Sequence, residues 1–142
     1  MGYTRKVYDL ATTTVLALPA GASTTVNGTM IDLGSVPNDV LAENLEVHLS
    51  FPALSTTIAP DTRTFIFSIE DSADNSTYAA LDPVASKTYT GASSAGIGAV
   101  AATAPFQFKL PPNVKRYIRV KCVSGASTTD ASALSYTVRL AY

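Results

Sequence analysis

Hydrophobic and polar residues alternate with a period of two along most of this chain. Leu45, Val47, Leu49 and Phe51 alternate with Glu46, His48 and Ser50. Phe65, Phe67 and Ile69 alternate with Ile66, Ser68 and Glu70, and Phe106, Phe108 and Leu110 with Gln107 and Lys109. Ile118, Val120 and Cys122 alternate with Tyr117, Arg119 and Lys121. The last segment sets Leu134, Tyr136, Val138, Leu140 and Tyr142 against Ser135, Thr137 and Arg139. Successive side chains of a strand point to opposite faces, so each segment predicts a strand with one buried and one wetted face. One-sided burial belongs to antiparallel sheets.

Weaker strands are predicted at 29–33, 85–89 and 97–101, for a total of about eight, with Gly, Pro, Asn and Asp between them. Helical spacing is poor, and one short turn at 40–43 is the only helix the pattern allows. Strands at this spacing predict an all-β fold: a sandwich, a jelly roll or a Greek-key barrel. Residues 1–28 stand apart. They are rich in Thr and Ala, and Tyr3 and Tyr8 are among their few large groups. They are predicted to form an extended N-terminal arm or edge strand, with 29–142 as the β-sandwich domain.

Composition narrows the function classes. The 142 residues carry 10 basic and 11 acidic side chains, a net charge of −1. This near-neutral balance argues against nonspecific binding to nucleic acid and against a membrane-surface helix. No apolar run approaches the length of a membrane span. Arg5 and Lys6 precede an apolar stretch at 15–22, a loose imitation of a secretory leader. Asp9 and Thr12, Thr13 and Thr14 break it, so cleavage is not expected. The single cysteine, Cys122, allows no intrachain disulfide and fits a reducing compartment. Its inward parity predicts a small buried hydrophobe.

Candidate chemistry is sparse, and the expectation is a protein without enzymatic activity. His48, the one histidine, falls on the outward face beside Glu46 and Ser50. A catalytic triad would need a nucleophile and an orienting carboxylate around it. The acidic stretch 70–75 fails as a calcium loop, because Ala73 stands where an oxygen ligand is required and the loop glycine is absent; an Asx-type turn accounts for it better. Gly96, Gly98 and Ala101 match a dinucleotide-binding spacing, with no buried strand before it and no acid about twenty residues on. No cofactor and no metal are expected.

Charge placement is more informative. Lys109, Lys115, Arg116, Arg119 and Lys121 make up half of the basic residues, and Glu70, Asp71, Asp74 and Asp82 form an acidic group. The two patches predict either ion pairs across a subunit contact or charged strand edges that resist aggregation. The candidate contacts with a second subunit or another partner are Tyr3, Arg5, Lys6 and Tyr8 in the arm, and Lys115, Arg116, Arg119 and Lys121.

Several segments, taken in order, resemble the capsid cement (decoration) proteins of tailed bacteriophages, such as that of the Bordetella short-tailed phage. They are the arm from Asp9 onward, Ile31-Asp32-Leu33-Gly34, the strands at 45–51 and 65–71, and the Asp74-Asn75-Ser76 loop. After these come 106–111, Lys115-Arg116-Tyr117-Ile118-Arg119-Val120, the turn at 125–131 and a final strand ending at Tyr142. The stretch 85–103 has no counterpart. The resemblance implies a jelly-roll-like sandwich that forms a homodimer or homotrimer on the virion exterior after synthesis in the host cytoplasm. Its implied partner is the major capsid protein, whose neighbouring subunits it would bridge, with no catalytic residues. Asp32 and Gly34 would form a turn, and Arg116 and Tyr117 would start a strand. Two other readings stay open: a tail or fibre-adhesion domain, and a carbohydrate-binding module, which normally displays exposed aromatics.

Overall fold

The computed structural model describes residues 13–34, 45–60, 63–92, 106–125 and 129–141. Among them are ten strands and no helix. β1 (Thr13–Ala17), β10 (Ser135–Ala141), β4 (Glu46–Ser50) and β8 (Phe106–Lys109) form one sheet, in that order. The second sheet is built on β9 (Tyr117–Ser124) and β5 (Thr64–Ser72). β9 also pairs with β2 (Thr25–Asn27) and β3 (Ile31–Asp32), and β5 with β6 (Ala79–Ala80) and β7 (Ser86–Thr90). Every pairing is antiparallel. The chain is an all-β sandwich.

The two-residue period decides which side chains meet between the sheets. Val47, Leu49, Phe65, Phe67, Ile118, Val120, Tyr136 and Val138 are all at most 4% exposed. Burial of such a side chain contributes about 2 kcal/mol. Aromatic rings fill the middle: Phe51 stacks on Tyr89 at 4.4 Å, and Phe67 meets Tyr136 edge-on at 4.8 Å. Phe106 and Phe108 are only half-buried, because β8 lies at the sheet edge. Cys122 is fully buried, and burial pushes its thiol up to about 12.

Strands β4, β5, β8, β9 and β10 fall where the alternation predicts them, β7 overlaps the weaker segment 85–89, and β3 lies inside the weaker segment 29–33. β1, β2 and β6 are additions to the prediction, two or three residues long apart from β1. Residues 13–17 form an edge strand, but Leu18 is only 1% exposed and belongs to the core. β2 and β3, on either side of position 28, pair with the same strand, β9. The predicted strand at 97–101, the turn at 40–43 and the arm residues 1–12 lie outside the described residues.

Candidate functional site

The longest strand pairing among the described residues, β5 against β9, carries charged residues singled out in the sequence. Register places Glu70 opposite Arg119 and Ser68 opposite Lys121 on the outer face of the second sheet. Arg119 donates to Glu70 Oε2 from Nε at 2.9 Å and from Nη2 at 2.8 Å, and Lys121 Nζ donates to Oε1. The Glu70 side chain keeps 7% exposure under these two cations. Burial raises its pKa, but the hydrogen bonds and charges of Lys121 and Arg119 outweigh this and hold it below the usual carboxylate range. The Arg119 guanidinium also lies 4.0 Å over the ring of Tyr78. The Tyr78 hydroxyl donates in turn to Asn75 Oδ1.

One residue on, parity turns Asp71 inward at the end of the sandwich, where it is 5% exposed. Its carboxylate accepts from the Lys115 backbone N–H at 3.1 Å and from Lys115 Nζ at 3.0 Å. Nearby, Asp32 receives Arg116 through both carboxylate oxygens, each at 2.9 Å, and Asp32 Oδ1 also accepts the N–H of Gly34 at 2.8 Å. Gly34 has φ +76°, a left-handed conformation that closes this turn without a Cβ penalty. Asp32 and Arg116 are half-exposed, so solvent and salt screen that pair.

Lys115, Arg116, Arg119 and Lys121 therefore all pair with acids of their own chain. The basic and acidic groups were expected to stand apart, either reaching a neighbour or guarding edges. The fold instead brings them onto adjacent strands. Each carboxylate lies far in sequence from its cation, 44 to 84 positions away, so composition alone gives no sign of the pairing. Tyr3, Arg5, Lys6 and Tyr8 lie outside the described residues.

Two further candidates have defined surroundings. His48 faces outward, with Nε2 2.9 Å from Glu46 Oε2 and with Arg139 and Gln107 opposite it on the flanking strands. The pair supplies an imidazole and a carboxylate; among the described residues no hydroxyl or thiol hydrogen-bonds the ring. Asp74 works as a turn residue. Its Oδ1 accepts the N–H groups of Ser76 and Thr77 and the hydroxyl of Ser72, all at 2.9 Å. The N–H groups of Thr77 and Ser76 are the main reason its pKa falls to about 2. Among the described residues no three His, Cys, Asp or Glu side chains converge as a metal centre would need.

Arg63, which no sequence motif marks, has a fully buried side chain. It donates to the Ile58 carbonyl and to Ser124 Oγ, and its guanidinium lies 4.7 Å over the Phe65 ring. Burial lowers its pKa and the charge of Asp130 opposes that shift. Arg63 falls on the same inward parity as Phe65, Phe67 and Ile69, but a charged side chain there does not read as part of an apolar alternation.

No protein-family model matches the chain, and no curated protein matches it in sequence.

Proposed function

We propose that this protein is a structural component of a virion: a capsid cement protein that binds the outside of the expanded shell and bridges neighbouring major capsid subunits. The strand order carries the reading. With β2 and β3 counted as one unit, and β6 and β7 as another, the sheets read 1-10-4-8 and 2/3-9-5-6/7. We infer from this order a jelly roll, in which the chain passes from sheet to sheet at every step except β5 to β6. Viral capsid proteins use that architecture, as do lectins and cupins. Fold alone does not choose among them. The ordered resemblance of the segments from Ile31 to Tyr142 to phage decoration proteins favours the virion.

Internal pairing of the charges fits a passive role. A protein that binds only the expanded lattice stabilises that state by mass action, and an oligomer with several contacts gains avidity. Co-sedimentation with expanded shells, unexpanded shells and free coat subunits tests the proposal. Pelleting with expanded shells alone is the expected result. Equal recovery with all three, or with none, overturns it.

A further inference from the structure

The fold sorts the ten basic residues of this chain. Lys115, Arg116, Arg119 and Lys121 are neutralised by Asp71, Asp32 and Glu70. Arg63 is buried, and Lys87 on β7 lies 5.6 Å over the Tyr89 ring. Arg5 and Lys6 lie outside the described residues, in the stretch that leads into β1. That leaves Arg139 on β10 and Lys109 on β8. Both are exposed, and neither is ion-paired among the described residues.

These two cations share the outer face of the first sheet. Arg139 stands opposite His48 on β4, and His48 stands opposite Gln107 on β8. Lys109 stands opposite Glu46, two residues along, but the Glu46 carboxylate bonds His48 at 2.9 Å instead. Arg139 and Lys109 are therefore two strand spacings apart across the sheet and two residues apart along it, roughly 12 Å between Cα atoms. The strand between them carries the Glu46–His48 pair. Free and paired charges respond differently to a partner. An ion pair made within the chain gains little from a second carboxylate and loses solvent when it is covered. An unpaired cation gains a charge-assisted hydrogen bond that the free protein lacks.

We propose that the outer face of the first sheet is the one that docks on the shell, and that it recognises an acidic protein surface. One carboxylate of the partner meets Arg139, a second meets Lys109, and a hydrogen-bond donor between them meets Glu46. The inference rests on the capsid reading above and adds to it the face and the chemistry of the contact. The mixed signs favour a protein partner. A nucleic-acid backbone presents anions alone, would set them against Glu46, and draws its nonspecific affinity from many more cations than two. A protein surface can oppose cation, acid and cation in turn, and such a pattern also fixes the register of docking. The chain path agrees with this face. Residues 1–12, which include Arg5 and Lys6, join β1 at Thr13, and Thr13 pairs with Arg139.

Co-sedimentation of the full chain with expanded shells tests the contact. The double variant Arg139→Glu with Lys109→Glu alters exposed side chains only, so its circular dichroism is expected to match the wild type. Reversing both contact charges is expected to weaken shell binding roughly tenfold or more. Lys87→Glu, on the other sheet, is expected to bind within about twofold of the wild type. Acetylation of free and shell-bound wild type, followed by peptide mass mapping, gives a second readout: binding should shield Lys109 and leave Lys87 reactive. If the wild type does not pellet with shells, the capsid reading falls and this inference falls with it. If the wild type pellets and the double variant pellets equally, or if Lys87 is shielded in place of Lys109, the choice of face alone is overturned. Retention of duplex DNA by the wild type, lost in the double variant, would assign the face to nucleic acid and overturn the acidic protein partner.

Discussion

Arg63 and Ser124 are 61 positions apart and are joined by two hydrogen bonds to one hydroxyl: Arg63 Nε and Nη2 reach Ser124 Oγ at 3.3 and 3.2 Å. They tie the start of β5 to the end of β9 while a third bond holds the Ile58 carbonyl. Replacing Arg63 by Met keeps much of the volume but strands two buried acceptors. Arg63→Met is expected to lose about 2–4 kcal/mol of stability. A urea titration should show a lower midpoint with an unchanged slope.

Glu70 is the hub of the pairing on the outer face. Glu70→Gln leaves Arg119 and Lys121 without their shared anion. Both cations are partly exposed, so the expected cost is at the low end for a broken charged network, about 1–2 kcal/mol. A double-mutant cycle with Arg119→Met, read by chemical denaturation, should give a favourable coupling between the two residues.

Acid should unfold the protein progressively. Glu70, Asp74 and Asp130 all have lowered pKa values in the folded chain. The unfolded chain then binds protons more readily, so protons favour unfolding. The stability from these groups is complete above the ordinary carboxylate range and is lost as pH falls through the folded values. With Asp74 at about 2, the loss continues from about pH 5 down to about pH 2. Thermal melts across that window should show a steadily falling Tm, and Asp74→Ala should flatten the lower part of the curve.

Gly91 is fixed by a close approach. Its N–H donates to the Arg63 carbonyl, and a Cβ there would lie 2.4 Å from the carbonyl oxygens of Ala59 and Pro60. Both are backbone atoms, so they cannot turn aside as a flexible side chain would. Gly91→Ala is expected to cost about 1–3 kcal/mol, measured by the thermal midpoint.

Cys122 should be inert while the protein is folded. Its thiol is buried and its pKa is raised to about 12, so almost no thiolate exists near neutral pH. Labelling by a thiol-specific disulfide reagent should proceed only as fast as unfolding. Rapid labelling of the native protein would contradict the packing of β9.

The sequence alone determined the all-β class, the five alternating strands β4, β5, β8, β9 and β10, and the face each one buries. That information is local: a period of two separates inward Val47 from outward His48 whatever they pack against. It also determined that Asp74 turns the chain, because a short carboxylate reaches its own next N–H groups. Tertiary structure decided the rest. β1 and β2 lack a strong alternation and become strands because β10 and β9 offer them edges, while Leu18 enters the core because the chain crosses between sheets there. The pairing of Glu70 with Arg119 and Lys121 depends on the register of strands 49 to 51 positions apart. Arg63 was invisible for the same reason: its acceptors come from Ile58 and Ser124, and only folding brings them to one guanidinium.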